Sequence, residues 1–116
     1  MSRDAATLLD IAAAAGRALQ FARGLDRAAF LASEEKRWAV YSQLVIIGEA
    51  AARLSVTFQQ KHEHIPWGQI VGMRNRLVHG YDQVNWQRVW ETVTNDLSAL
   101  LADLQPLLPD QGSKKG

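Results

Sequence analysis

Cysteine is absent from this 116-residue chain. That excludes a disulfide framework and any thiolate metal site. Proline occurs three times and glycine eight, too seldom for a fibrous or low-complexity chain. A surplus of one charge sign is missing too: 13 basic residues face 12 acidic ones, for a formal net charge of +1. Such a balance argues against a nonspecific nucleic-acid coat. Any RNA binding has to use a local pocket, or one assembled from two subunits. No apolar run reaches the roughly 20 residues of a membrane span. The start, with Arg3 and Asp4 ahead of an alanine-rich stretch, does not read as a signal peptide. The expectation is a soluble, cytoplasmic protein with no membrane contact. No segment alternates with β period and no repeat is visible.

What is present is helical periodicity in a chain that is 47% hydrophobic, enough for one core. Ser2 can cap a first helix, with Leu8, Ala12, Ala15, Leu19 and Ala22 as its apolar stripe, ending near Gly24. Asp26 is a good N-cap for a short second helix over 27–31. Ser33 with Glu34 and Glu35 starts a long third helix reaching about Leu54. Its inner stripe is Trp38, Tyr41, Leu44, Val45, Gly48, Ala51 and Ala52. Ile46 and Ile47 widen the apolar surface, which implies a second contact, within the fold or across a dimer. Ser55 caps a short helix over 56–61. Asn85 caps a last helix with Trp86, Val89, Trp90, Val93, Leu97, Leu100, Leu101 and Leu104 on one side, ending before Pro106. The predicted fold is all-α: an antiparallel bundle of four main helices plus short ones. One domain covers 1–108, and the polar stretch 109–116 is expected to be disordered.

The chemistry concentrates in Met73-Arg74-Asn75-Arg76-Leu77-Val78-His79-Gly80-Tyr81. Trp67, Ile70, Val71, Leu77 and Val78 share a helical face. Pro66 suits the first turn, and Gly80 suits a left-handed residue just past the end. Arg74 falls within the apolar stripe, so its guanidinium needs an acidic partner or an anionic ligand. Glu49, late in the third helix, is the candidate partner. Asn75 and His79 are four apart and share a neighbouring face, which would let Asn75 fix the imidazole tautomer. Arg76 borders the same polar edge.

A histidine that titrates near neutrality and an arginine that holds a phosphate suit metal-free cleavage of an RNA phosphodiester. Spacing alone favours a histidine that caps the helix dipole and an arginine in a structural ion pair. His62 and His64 are two apart with no clustered carboxylate, so they read as a solvated turn, and no metal or other cofactor is expected.

Arg74-x4-His79-x-Tyr81 resembles the signature of the HepT-like toxins of the HEPN superfamily. The flanks agree: Ile46-Ile47-Gly48-Glu49-Ala50, Arg53-Leu54-Ser55, Ile65-Pro66-Trp67 and Val89-Trp90-Glu91-Thr92-Val93. The resemblance covers roughly residues 5 to 107. It implies a homodimeric helical bundle acting as a ribonuclease. Arg74 and His79 of both subunits would be catalytic in the dimer cleft, with Asn75, Glu49 and Arg76 in support. It also implies an MntA-like nucleotidyltransferase antitoxin that transfers AMP to Tyr81, where bulk and negative charge would block RNA. The alternative is a non-catalytic helical module that binds a nucleotidyltransferase or a nucleotide, with Tyr81 packing at a helix end.

Overall fold

The computed structural model describes residues 2–109. Apart from Pro109, the polar tail expected over 109–116 lies outside the described residues. Helices account for nearly all of the described chain, and no strand occurs among those residues. In order they are α1 (Arg3–Ala22), α2 (Arg27–Ala32), α3 (Glu34–Arg53), α4 (Val56–Lys61), α5 (Trp67–His79), α6 (Trp86–Glu91) and α7 (Leu97–Leu104). None is long and apolar enough to cross a membrane.

The helix starts follow from side-chain capping. Ser2, Asp26, Ser33, Ser55 and Asn85 each accept a hydrogen bond from a backbone N–H in the first turn behind them. Each satisfies a donor that the helix cannot satisfy itself. Pro66 stands just ahead of α5 rather than inside its first turn.

Three features differ from the expectations. The buried face of α1 is centred on Leu8, Ile11, Ala14, Ala15, Ala18 and Ala22, with Ala12 and Leu19 at its margin. The alanines let α3 approach closely, and that contact sets the rotation of α1. On α3 the buried line is Val40, Gln43, Leu44, Ile47, Gly48, Ala50 and Ala51, while Trp38 and Ala52 are exposed. Ile47 goes into the core and Ile46 stays at the surface.

The expected unbroken last helix contains a π turn at Thr92–Asp96 between α6 and α7. The Leu97 N–H donates to the Thr92 carbonyl, five residues back. Thr92, Val93 and Thr94 are consecutive β-branched residues, poor in a helix interior. The hydroxyls of Thr92 and Thr94 donate to the carbonyls of Arg88 and Trp90. That back-bonding loosens the regular ladder at this point.

The bundle is antiparallel where the motif sits. Tyr41 meets Leu77, while Gly48 meets Ile70 and Arg74, so α3 and α5 run in opposite directions. The start of α1 is tied to the end of α3 through Asp4, whose carboxylate accepts from the Ser55 N–H at 3.0 Å and the Ser55 hydroxyl at 2.7 Å. These bonds hold the Asp4 carboxyl below the usual carboxylate range, the side-chain bond contributing most. Phe30, wholly buried, stacks at 5.2 Å from Trp90 and fastens α2 to the last helical rod.

Candidate active site

The motif helix α5 lies against α3 across a seam closed by one glycine. A Cβ at Gly48 would stand 2.1 Å from the Arg74 Cβ and 2.8 Å from its Cγ. Gly48 is therefore the seat of Arg74: the arginine stem lies where any side chain at 48 would have to be. This is close approach rather than unusual torsion, since the sole positive φ among the described residues is at Gly24. Gly80, expected in the left-handed region, has φ −119°. Its N–H donates to the Arg76 carbonyl at 3.0 Å, and a Cβ there would stand 3.1 Å from that oxygen. Crowding by the Arg76 carbonyl, not the sign of φ, is what favours glycine at 80.

From this seat the Arg74 guanidinium reaches two partners. Its Nη2 donates to Glu49 Oε2 at 3.3 Å, and its Nη1 donates to Asn75 Oδ1 at 2.9 Å. Its Nε is buried and has no hydrogen-bond partner. The pair is half-exposed, 30% for Arg74 and 44% for Glu49, so its attraction is screened by water and its net worth is at most about 1 kcal/mol. The arrangement fixes a cation at the surface with two of its five N–H groups engaged and the Nε N–H buried.

The other candidate residues of the motif, Asn75, Arg76, His79 and Tyr81, are exposed. His79 ends α5, and its ring makes no hydrogen bond among the described residues. The Asn75 carbonyl oxygen is on Arg74 rather than on the imidazole, so in this structure Asn75 positions the arginine. Arg76 is exposed on the side of α5 away from Glu49. Tyr81 begins a short 3-10 turn, Tyr81–Gln83, and is 66% exposed. Its ring is therefore no packing residue of the monomer.

Arg74 and His79 are five residues apart. On an α-helix that separates them by about 140° around the axis and about 7.5 Å along it. One copy of the chain thus aims its cation and its imidazole in different directions.

Two contributors had no role assigned from sequence. Tyr41 donates its hydroxyl to the Leu77 carbonyl at 2.9 Å, satisfying one of the free carbonyls in the last turn of α5. Gly48 is the other. Both lie on the inner stripe of α3, seven residues apart, and Gly48 also falls in the flank Ile46-Ile47-Gly48-Glu49-Ala50 that carries the resemblance. His62 and His64 stand 6.2 Å apart, ring to ring. Among the described residues no group of three or more potential ligands gathers to hold a metal ion.

A family profile described as "Ribonuclease HepT-like" matches residues 11–107. "Probable ribonuclease HepT" of Thermococcus cleftensis is 34% identical over 100 residues, covering 86% of this chain and 91% of that protein. A Methanocaldococcus jannaschii protein named "Putative RNase MJ1380" is 31% identical over 100 residues, covering 86% of this chain and 92% of its own. No solved structure gives a significant match.

Proposed function

Because this chain belongs to the HepT-like ribonuclease family, we propose that it is a metal-independent RNA endonuclease and the toxin of a toxin–antitoxin pair. The observation that carries the reading is the placement of Arg74. A guanidinium seated by Gly48, steered by Glu49 and Asn75, and partly open to solvent is preorganised for a phosphate oxygen. Two copies of the chain form the working site. The 140° separation leaves Arg74 and His79 of one copy poorly placed to act on the same phosphate, whereas a two-fold axis beside α5 brings the arginine of one copy toward the histidine of the other.

The chemistry at that site needs only these groups. A base removes the proton of the RNA 2′-hydroxyl, whose oxygen attacks the neighbouring phosphorus. The bond from phosphorus to the 5′-oxygen breaks. An imidazolium gives its proton to the departing oxygen, leaving a cyclic phosphate on one product and a free hydroxyl on the other. His79 of one copy takes that proton as base and returns it as acid, and Arg74 of the other copy neutralises the charge that builds on the phosphoryl oxygens. Arg76 adds positive charge on the same helix.

Neutralisation falls on Tyr81. Its exposure supports a role as acceptor of AMP from an MntA-like nucleotidyltransferase antitoxin: the phenol oxygen bonds to the α-phosphorus of ATP and pyrophosphate leaves. The added phosphate sets a negative charge two residues from His79 and repels the RNA backbone.

The test is cleavage of RNA by purified protein in EDTA, after intact mass has shown Tyr81 to be free. The wild type cleaves, and Arg74→Ala and His79→Ala lose cleavage while keeping the wild-type helical spectrum. No cleavage by unmodified protein across several RNA classes would favour the non-catalytic interaction module instead.

A further inference from the structure

Between α5 and the rod formed by α6, the π turn and α7 lies an open cleft of about 990 Å³. It exists because α5 packs on α3 while the rod rests chiefly on α1, and the two walls scarcely touch one another. The floor is apolar, formed by Leu44, Leu77, Val89 and Leu97. The charged groups on the walls are unevenly spread. Arg76 is one turn before Gly80 on α5, and Arg88 is in the first turn of α6, so the two flank the short link that joins the walls. The acidic groups, Asp96 and Asp103, follow Arg88 by eight and fifteen residues. Along a helical rod that puts them about 12 and 22 Å farther from the motif end. The cleft is thus positive beside His79 and negative at its far end.

The two arginines are also available. Arg76 has no ion-pair partner among the described residues. Its guanidinium folds back over Gly72, where an added Cβ would stand 3.5 Å from its Nη1. Arg88 touches Glu91 at 3.5 Å, with both side chains well exposed, an arrangement that holds it weakly. Two lightly engaged guanidiniums on facing walls, above an apolar floor of nucleotide-accommodating volume, make a site for an anion with a flat apolar group attached.

We propose that this cleft binds the single-stranded RNA next to the bond cut at the motif. Arg76 and Arg88 hold one backbone phosphate, and the base joined to it lies on the apolar floor. The proposal rests on the ribonuclease reading for its ligand, and it adds Arg88, outside the motif, as a substrate-binding residue. Charge complementarity favours RNA over a second copy of this chain as the occupant, since a chain with 13 basic and 12 acidic residues offers no surplus of acid to the two arginines, whereas every nucleotide carries a phosphate.

The experiment uses the His79→Ala protein, so that bound RNA stays intact, with a fluorescein-labelled single-stranded RNA of mixed sequence. Affinity is measured across a salt series with and without Arg88→Ala, and thermal melting confirms that the variant folds. Removing Arg88 is expected to weaken binding about tenfold at low salt. It should also flatten the dependence of log affinity on log salt by about 0.7. Arg88→Lys, which keeps the charge, is expected to retain most of the salt slope. In the cleavage-competent protein, Arg88→Ala raises KM and leaves kcat nearly unchanged.

Unchanged affinity and slope in Arg88→Ala would overturn the cleft assignment, and continued cleavage in that case would leave the nuclease reading standing. RNA binding that depends on Arg88 in a protein that never cleaves would uphold the cleft and remove the nuclease reading. A change from dimer to monomer in Arg88→Ala would overturn the proposal by making the cleft a subunit interface. Failure of the parent protein to bind any RNA would overturn both.

Discussion

A methyl group at position 48 would have to share space with the stem of Arg74, 2.1 Å from its Cβ. Both atoms are close to backbone, so neither can swing away. Gly48→Ala must push α3 and α5 apart, and the expected cost is about 1–3 kcal/mol, read as a lowered melting midpoint. Because the displaced group is Arg74 itself, RNA cleavage should fall by more than the loss of folded protein explains. Glu49 is a contrasting case. Its ion pair with Arg74 is half-exposed, so Glu49→Ala should change stability by less than about 1 kcal/mol. With the guanidinium no longer steered, cleavage in the same variant should drop severalfold. A drop in melting without a drop in cleavage would make the pair purely structural. Much of this neighbourhood was legible in the sequence, because an arginine inside an apolar stripe calls for an acid on the facing helix. The Arg74–Asn75 bond was not, since i and i+1 side chains do not face one another on an ideal helix and the contact depends on the long arginine bending back. Nor was the meeting of Gly48 with Arg74, which depends on the rotation of two helices against each other. Periodicity gives that rotation only approximately.

The helix termini were the most legible elements, because capping is local: one side chain, one backbone N–H three residues on. One terminus does more. The Asp4 carboxylate reaches from the start of α1 to Ser55, which itself caps α4 by accepting from the Phe58 N–H. These bonds favour the ionised form and lower the pKa in the fold. A carboxyl so lowered adds stability above the range in which it titrates unfolded, and that stability is lost as pH falls through the lowered folded value. Asp4→Asn should therefore melt below the wild type at neutral pH. The gap should close under acid conditions below the ordinary carboxylate range, as thermal melts at a series of pH values would show. A gap independent of pH would mean that the contact acts without its charge. Tyr41 ties α3 to the last turn of α5, and Tyr41→Phe should cost about 1 kcal/mol for the lost bond to the Leu77 carbonyl. The π turn escaped the sequence reading because Val89, Val93, Leu97, Leu100 and Leu104 keep a helical rhythm through it. The β-branched run 92–94 was the available signal, and hydrophobic pattern alone outweighed it.

The Cα framework measures 43 × 32 × 19 Å, about two helix diameters thick. In so flat a body each main helix has one face in the core and another in solvent. The outer face of α5 carries His79, and the same flatness leaves Ile46 and Trp38 of α3 more than a third exposed. A homodimer is the expected state at micromolar concentration, and sedimentation equilibrium giving the mass of a single chain would count against it. The all-α architecture was legible throughout, since every long segment repeats with helical period. The cleft between α5 and α6–α7 was not, because it arises from two helices failing to meet, and no stripe on either one records that. The most direct test of the central claim combines two inactive proteins. Arg74→Ala and His79→Ala, each unable to cleave RNA in EDTA, are unfolded together and refolded so that subunits mix. If the site draws on both copies, mixed dimers keep one intact Arg74 and one intact His79, and part of the cleavage returns. If the mixture stays as inactive as either variant although mass measurements show that mixed dimers formed, the two-copy active site is wrong.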